Sequence, residues 1–136
     1  MELYGYFRSS AAYRVRIALN LKALDYTAVP LSLLAGDHRK AAYLAKNPQG
    51  LVPFFSDGAA AMGQSLAILE YLEESYPQAP LLPADAAGRA RVRQIAQVIA
   101  CDIHPLNNLR VLKYLTATLR VSEEQKTAWY HHWIIE

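Results

Sequence analysis

Within its first 21 residues the chain passes from a short apolar run, Leu3 to Phe7, into helical periodicity, and only Arg8, Ser9 and Ser10 lie between them. The run is of strand length. From Tyr13 to Leu21 the apolar residues Val15, Ala18, Leu19 and Leu21 recur at helical spacing, with Arg14 and Arg16 directed elsewhere. A strand that enters a helix over three polar residues narrows the possible folds, because it leaves a helix N-terminus beside the end of that strand. Unpaired N–H groups and a partial positive charge there stabilise an anion or thiolate without a dedicated cation. Two hydroxyls and an arginine stand at this place, and Ser9 or Ser10 also suits an ordinary N-cap.

The remaining N-terminal half continues the alternation. Tyr26 to Leu33 reads as a second strand from its β-branched and aromatic content, and a right-handed parallel crossover is expected. Asp37 is predicted to cap a short helix that ends near Asn47-Pro48. Leu51 to Ser56 and Ala59 to Met62, split by Asp57-Gly58, read as a hairpin with a two-residue loop. Gln64-Ser65 then opens a helix, Leu66 to Tyr76, with Ser65 as N-cap and Leu66, Leu69 and Leu72 among its buried positions. This order, βαβ followed by ββα, is the thioredoxin-like arrangement.

Pro77, Pro80 and Pro83 mark residues 77–85 as a linker after a first domain at 1–76. Helical periodicity resumes from Asp85 to about Leu119, with a kink or break expected at Pro105, and Ser122 begins a further amphipathic helix with Glu123 and Glu124 in its first turn. Residues 86–136 therefore read as the start of an all-α domain that stops mid-pattern, as a truncated domain would. The formal charge of +2 argues against an extended nucleic-acid footprint, and the lone Cys101 excludes an internal disulfide framework. No secretory signal or membrane-spanning stretch is legible, so a cytoplasmic protein is expected.

Taken together, RSSAAYRVRIAL (8–19), NPQGLVP (47–53), DG (57–58), QSLAILEYLEE (64–74), LLPAD (81–85) and CDIHPLNNLRVLKYL (101–115) resemble the zeta-class glutathione transferases, which include the maleylacetoacetate and maleylpyruvate isomerases. The class signature runs Ser-Ser-Cys, one variable residue, Trp, Arg-Val-Arg-Ile-Ala-Leu; this chain departs from it at Ala11 and Tyr13. The resemblance implies a glutathione transferase fold and a homodimer. It also implies roles for individual residues. Ser9, or its competitor Ser10, donates to the glutathione thiol. Val52, before a proline that is cis in such folds, pairs with the cysteinyl backbone. Gln64 and Ser65 hold the γ-glutamyl end. His38, His104 and Asn108 add glutathione contacts, and Arg8 and Arg110 grip substrate carboxylates, a task suited to a planar guanidinium. Taken alone, Val52-Pro53 also fits a trans proline at a strand start, and Arg110 a solvated surface charge.

The implied activity is a glutathione-dependent cis–trans isomerisation of maleylacetoacetate, in tyrosine and other aromatic catabolism, with maleylpyruvate as the second candidate. Glutathione acts as a regenerated cosubstrate, and no metal is called for. A general transferase for small electrophiles and a non-catalytic interaction module are the alternatives. Three features are set aside. His131 and His132 are adjacent and diverge on a helix, Cys101 is expected to be a small buried side chain, and the nine tyrosines are scattered. The partners expected are glutathione and a small acidic substrate, with neither nucleic acid nor membrane.

Overall fold

A computed structural model describes residues 1–135, and these fall into two compact units, Met1–Pro83 and a second beginning at Ala84. The first holds β1 (Glu2–Gly5), α1 (Ser10–Leu21), β2 (Thr27–Pro30), a 3₁₀ turn (Asp37–Arg39), α2 (Ala41–Leu44), β3 (Phe54–Asp57), β4 (Ala60–Gly63) and α3 (Ser65–Ser75). The sheet order is β2-β1-β3-β4, with β1 parallel to β2, antiparallel to β3, and β3 antiparallel to β4. The thioredoxin-like order read from the sequence is thus the one observed.

Alternation along the two central strands decides where the helices go. Leu3 lies opposite Phe55, and Tyr4 opposite Phe54, so each strand sends one side chain to each face. On one face Leu3 and Phe55 join Val15, Ala18 and Leu19 of α1 with Ile68 and Leu72 of α3, all almost wholly buried. On the other, Tyr4 and Phe54 meet Tyr43 of α2, with Tyr4 ring centroids 5.8 Å from Phe54 and 6.1 Å from Tyr43. Full burial of a side chain such as Phe55 or Leu19 is worth about 1.5–3 kcal/mol before entropy. Two helices on one face and one on the other leave the sheet ends for loops.

Several boundaries differ from the sequence reading. β1 stops at Gly5, where a Cβ would stand 3.2 Å from the Cβ of Ala12, and Tyr6 to Arg8 form the turn into α1. β2 ends at Pro30, whose missing N–H falls on the outer edge of the sheet, while the Leu31 N–H still bonds the Gly5 carbonyl at 2.8 Å. Leu21 is exposed because it lies beyond the buried stripe of Val15, Ala18 and Leu19. Asp37 caps nothing: it is the first residue of the 3₁₀ turn, accepting from the Ser32 N–H at 2.8 Å and pairing with Lys40. The hairpin loop is Gly58-Ala59, one residue later than expected, with Gly58 at φ +57° where a tight two-residue turn takes glycine. In α3 the buried residues are Ile68, Leu72 and Glu73 together with Ser65, while Leu66 and Leu69 are half-buried.

The proline-rich stretch is partly packed. Lys22 Nζ, at the end of α1, reaches Glu73 at 2.9 Å, the Tyr76 carbonyl at 2.8 Å and the Ala79 carbonyl at 2.9 Å. Glu73 in turn accepts from the N–H groups of Leu81 (2.9 Å) and Leu82 (3.1 Å). Burial pushes the Glu73 carboxyl up, but the Leu81 and Leu82 N–H groups and Lys22 outweigh it and hold the carboxyl below its ordinary range. This clamp fastens residues 76–82 to the first unit.

The second unit holds α4 (Ala86–Gln97), a π-helical stretch (Val98–Ile103), α5 (Leu109–Ala117) and α6 (Glu123–Ile135). Asp85 caps α4 through the Gly88 N–H at 2.7 Å. The break falls at Pro105, as its missing N–H requires, and the preceding His104 N–H bonds the Ile99 carbonyl across the wider π spacing. Ser122 and Gln125 form a reciprocal capping pair at the start of α6. Rather than a broad apolar face, α6 covers only a thin stripe of Lys126, Trp129 and Trp133. Cys101 corrects an expectation: it is exposed, because this unit buries only Leu115 among its described apolar residues and Val98 and Ile99 beside it are exposed too.

Candidate active site

Strand register brings the expected residues of the first unit together. Gly5 pairs with Pro30, Tyr4 with Phe54, and Phe54 with Gly63, so β1, β2 and β4 end and β3 begins at one end of the sheet. From that end the chain leaves β1 toward Ser9, enters β3 through Val52-Pro53, and leaves β4 toward Gln64-Ser65.

At the start of α1, Ser9 is the cap. Its backbone is extended, its N–H bonds the Tyr6 carbonyl at 2.9 Å, and its Oγ accepts from the Ala12 N–H at 3.2 Å. Because Oγ acts there as acceptor, the Ser9 hydroxyl proton is left to donate. Ser10 is the first helical residue and is exposed, as is Arg8 in the turn. Arg16 steadies that turn: its guanidinium donates to the Phe7 carbonyl at 3.1 Å and lies 5.0 Å over the Tyr13 ring. A cavity of about 340 Å³ is lined by Phe7, Arg8, Ser9, Ser10, Tyr13 and Arg16. Ala11 is buried, whereas Tyr13 is 55% exposed and supports Arg16 rather than the core.

The Val52-Pro53 peptide is cis, and the Val52 N–H and C=O make no backbone hydrogen bond among the described residues. The loop before it is pinned from inside: buried Asn47 donates to the Leu51 carbonyl at 2.8 Å, and so does the Tyr43 hydroxyl. Gly50 sits at φ +59°, and a Cβ there would come within 2.9 Å of the His38 carbonyl oxygen. Half-buried His38 therefore lies beside the loop that carries Val52.

At the start of α3 the roles differ from the sequence reading. Gln64 is the cap residue, at φ +65° and ψ 109°, and its side chain bonds Gln49 at 3.1 Å instead of capping. A glutamine at positive φ is an outlier of the kind that clusters at functional sites. Ser65 is the first helical residue and is buried, its Oγ accepting from Arg14 Nη1 at 3.1 Å. Sequence reasoning assigned nothing to Arg14. Its partner lies 51 positions away, and the only local signal is a charged residue one turn into a helix whose neighbours Val15 and Ala18 are buried.

His104, Asn108 and Arg110 belong to the second unit. His104 is half-buried at the end of the π-helical stretch. Asn108 caps α5, its Oδ1 accepting from the Arg110 (3.0 Å) and Val111 (3.3 Å) N–H groups and its Nδ2 donating to the Pro105 carbonyl at 2.9 Å. Arg110 is exposed. Among the described residues no cluster of three or more His, Cys, Asp or Glu could hold a metal, and no helix is long and apolar enough to cross a membrane.

Residues 3–80 match the family model for the glutathione S-transferase N-terminal domain. Over 134 residues the chain is 54% identical to a probable maleylacetoacetate isomerase from Vibrio cholerae, an alignment spanning 97% of this chain and 62% of that protein. Among solved structures, a holo maleylpyruvate isomerase described as a bacterial zeta-class glutathione S-transferase superposes with TM-score 0.95 at 49% identity, covering 98% of this chain and 63% of the other. A maleylacetoacetate isomerase from Methylobacterium extorquens AM1, solved with malonate and glutathione, gives 0.94 at 48% identity, covering 99% and 64%. The chain spans under two thirds of the length of each relative. A helix N-terminus bearing two serines, an unpaired backbone before a cis proline and a second helix N-terminus at one sheet end, with these likenesses across nearly its whole length, make the chain a member of the glutathione S-transferase family beside its zeta-class enzymes.

Proposed function

We propose that this chain is part of a glutathione-dependent cis–trans isomerase that converts maleylacetoacetate to fumarylacetoacetate, with maleylpyruvate isomerisation as the alternative, and that it works as a cytoplasmic homodimer in tyrosine and aromatic catabolism. The observation that carries the reading is the convergence of Ser9, Val52 and Ser65 on one sheet end. The donor set suits glutathione. The open Val52 N–H and C=O match an extended cysteinyl backbone, and the α3 N-terminus with buried Ser65 matches the γ-glutamyl carboxylate. Gln64 flanks that end, and the family resemblance gives further glutathione contacts to His38 and, on the second unit, to His104 and Asn108.

When bound, glutathione supplies the thiolate that adds reversibly to the cis double bond and is regenerated. The protein's part is electrostatic. The Ser9 hydroxyl donates to the sulfur, with Ser10 as its competitor, and the α1 N-terminus favours the negative charge. Arg8 suits a substrate carboxylate and the charge that develops as the bond is attacked, and Arg110 of the second unit is the other guanidinium that the family resemblance gives to the substrate's acid groups. A transferase acting on other small electrophiles would use the same helix N-terminus, and a binding module would keep the site without turnover.

The test follows maleylacetoacetate loss coupled to fumarylacetoacetate hydrolysis, with and without glutathione. Turnover that needs glutathione but does not consume it is expected, and it should collapse in Arg110→Ala while glutathione still binds. Glutathione binding without turnover on either acid would overturn the isomerase in favour of a transferase.

A further inference from the structure

Arg14 lies one turn into α1, half-buried, and reaches across to the first residue of α3, where its Nη1 donates to Ser65 Oγ at 3.1 Å. That contact joins two helix N-termini, the one capped by Ser9 and the one opened by Ser65. We propose that Arg14 is a positioning residue for the γ-glutamyl carboxylate of glutathione, acting through Ser65; the inference rests on the reading of the site given above.

The chemistry follows from what a hydroxyl can do. Ser65 Oγ has one proton to give and two lone pairs to fill. A guanidinium donating into one lone pair repels the hydroxyl proton, which then has to point away from Arg14. Ser65 thereby becomes a committed donor, polarised by a charged neighbour, toward an acceptor at the α3 N-terminus. Arginine cannot lose its proton at any ordinary pH, so the arrangement is permanent. The charge itself adds to the partial positive charge of the helix end, in a place where Ser65 is only 7% exposed and screening by water is weak. Arg16, by contrast, directs its guanidinium to the Phe7 carbonyl and the Tyr13 ring, so the two arginines of α1 serve different ends of the site.

The experiment compares glutathione with γ-aminobutyryl-cysteinylglycine, which lacks only the α-carboxylate of the γ-glutamyl end. Calorimetry on the purified protein gives the preference for glutathione as a ratio of Kd values. Arg14→Gln is expected to cut that preference by on the order of tenfold, the scale of one charge-assisted hydrogen bond, while leaving the Kd of the analogue unchanged. Arg14→Lys should restore part of it, since the charge returns without the fork. On a Ser65→Ala background, Arg14→Gln should add little, because the two act through one contact. Equal weakening of both ligands by Arg14→Gln, or full additivity with Ser65→Ala, would overturn the proposal and leave Arg14 a structural brace. Failure of the unsubstituted protein to bind glutathione would instead remove the reading of the site itself.

Discussion

Replacing Lys22 by methionine should be among the most damaging single changes in the first unit. The Lys22 ammonium is 1% exposed and its three donors are all used, on Glu73, Tyr76 and Ala79. Methionine fills similar space but returns none of these bonds. A carboxylate 8% exposed would lose its cation, and two carbonyls would lose their donor. Removing one partner of a buried pair costs about 3–5 kcal/mol. That is a large share of the roughly 5–15 kcal/mol that holds a domain together. At about 4 °C per kcal/mol, even the smaller loss lowers Tm by roughly 12 °C.

A second substitution sharpens the test. An isolated buried pair can often be exchanged for apolar residues without loss. Here Lys22→Met with Glu73→Leu would also strip the Leu81 and Leu82 N–H groups of their acceptor, each at about 1–3 kcal/mol if water does not reach it. The double variant should therefore be no more stable than Lys22→Met alone. Both tryptophans lie in α6 and seven of the nine tyrosines lie in the first unit, so tyrosine near-ultraviolet signals report mainly the first unit and tryptophan fluorescence the second during urea unfolding. A loss under about 1 kcal/mol in Lys22→Met, or a double variant as stable as the parent, would refute the clamp.

Other perturbations test separate parts of the molecule. Gly50→Ala combines a positive φ with a Cβ 2.9 Å from the His38 carbonyl and should cost about 1–3 kcal/mol by chemical denaturation, weakening glutathione binding through the displaced Val52 loop. Asp57 accepts from Tyr76 and Tyr71, which holds its carboxyl below the usual range and pushes the Tyr76 phenol up to about 12. With the Asp57 pKa lowered on folding, its contribution is full above the ordinary carboxylate range and is lost as pH falls. With the Tyr76 pKa raised, its contribution is full below the ordinary phenol value and is lost as pH rises toward about 12. Spectrophotometric titration should show late-ionising tyrosine that moves earlier in Asp57→Asn. Ser9→Ala should lose about 0.5–2 kcal/mol of cap stability and also raise the thiol pKa of bound glutathione, whereas Ser10→Ala should do neither. The opposite pattern in thiolate absorbance would make Ser10 the donor.

Much of this was legible from periodicity. The order of strands and helices, the break at Pro105 and the serines at the first turn all follow from spacing and from what proline and helix ends require. Two of the misplacements depend on partners that a local pattern does not show. Ser65 reads as a cap because its local pattern is that of a cap, yet its hydroxyl is engaged by Arg14. Asp37 is a local case: its partners Ser32 and Lys40 are five and three positions away, and they hold it inside the 3₁₀ turn rather than ahead of it. Prolines made residues 77–85 look like free linker, while the two charges that bind Ala79, Leu81 and Leu82 lie at the end of α1 and on α3. Cys101 reads as buried because its neighbours are apolar, but apolar neighbours do not by themselves supply a surface to pack against.

The position of β1 also bears on how the chain is made. Of the four strands of the sheet it is synthesised first, yet it lies inside the sheet, and Glu2 finds its antiparallel partner only at Ser56. Until that stretch has emerged, β1 has one open edge, a condition in which nascent chains pair wrongly or recruit chaperones. Synthesis thus imposes a delay between the appearance of Ser9 and the moment its surroundings can exist.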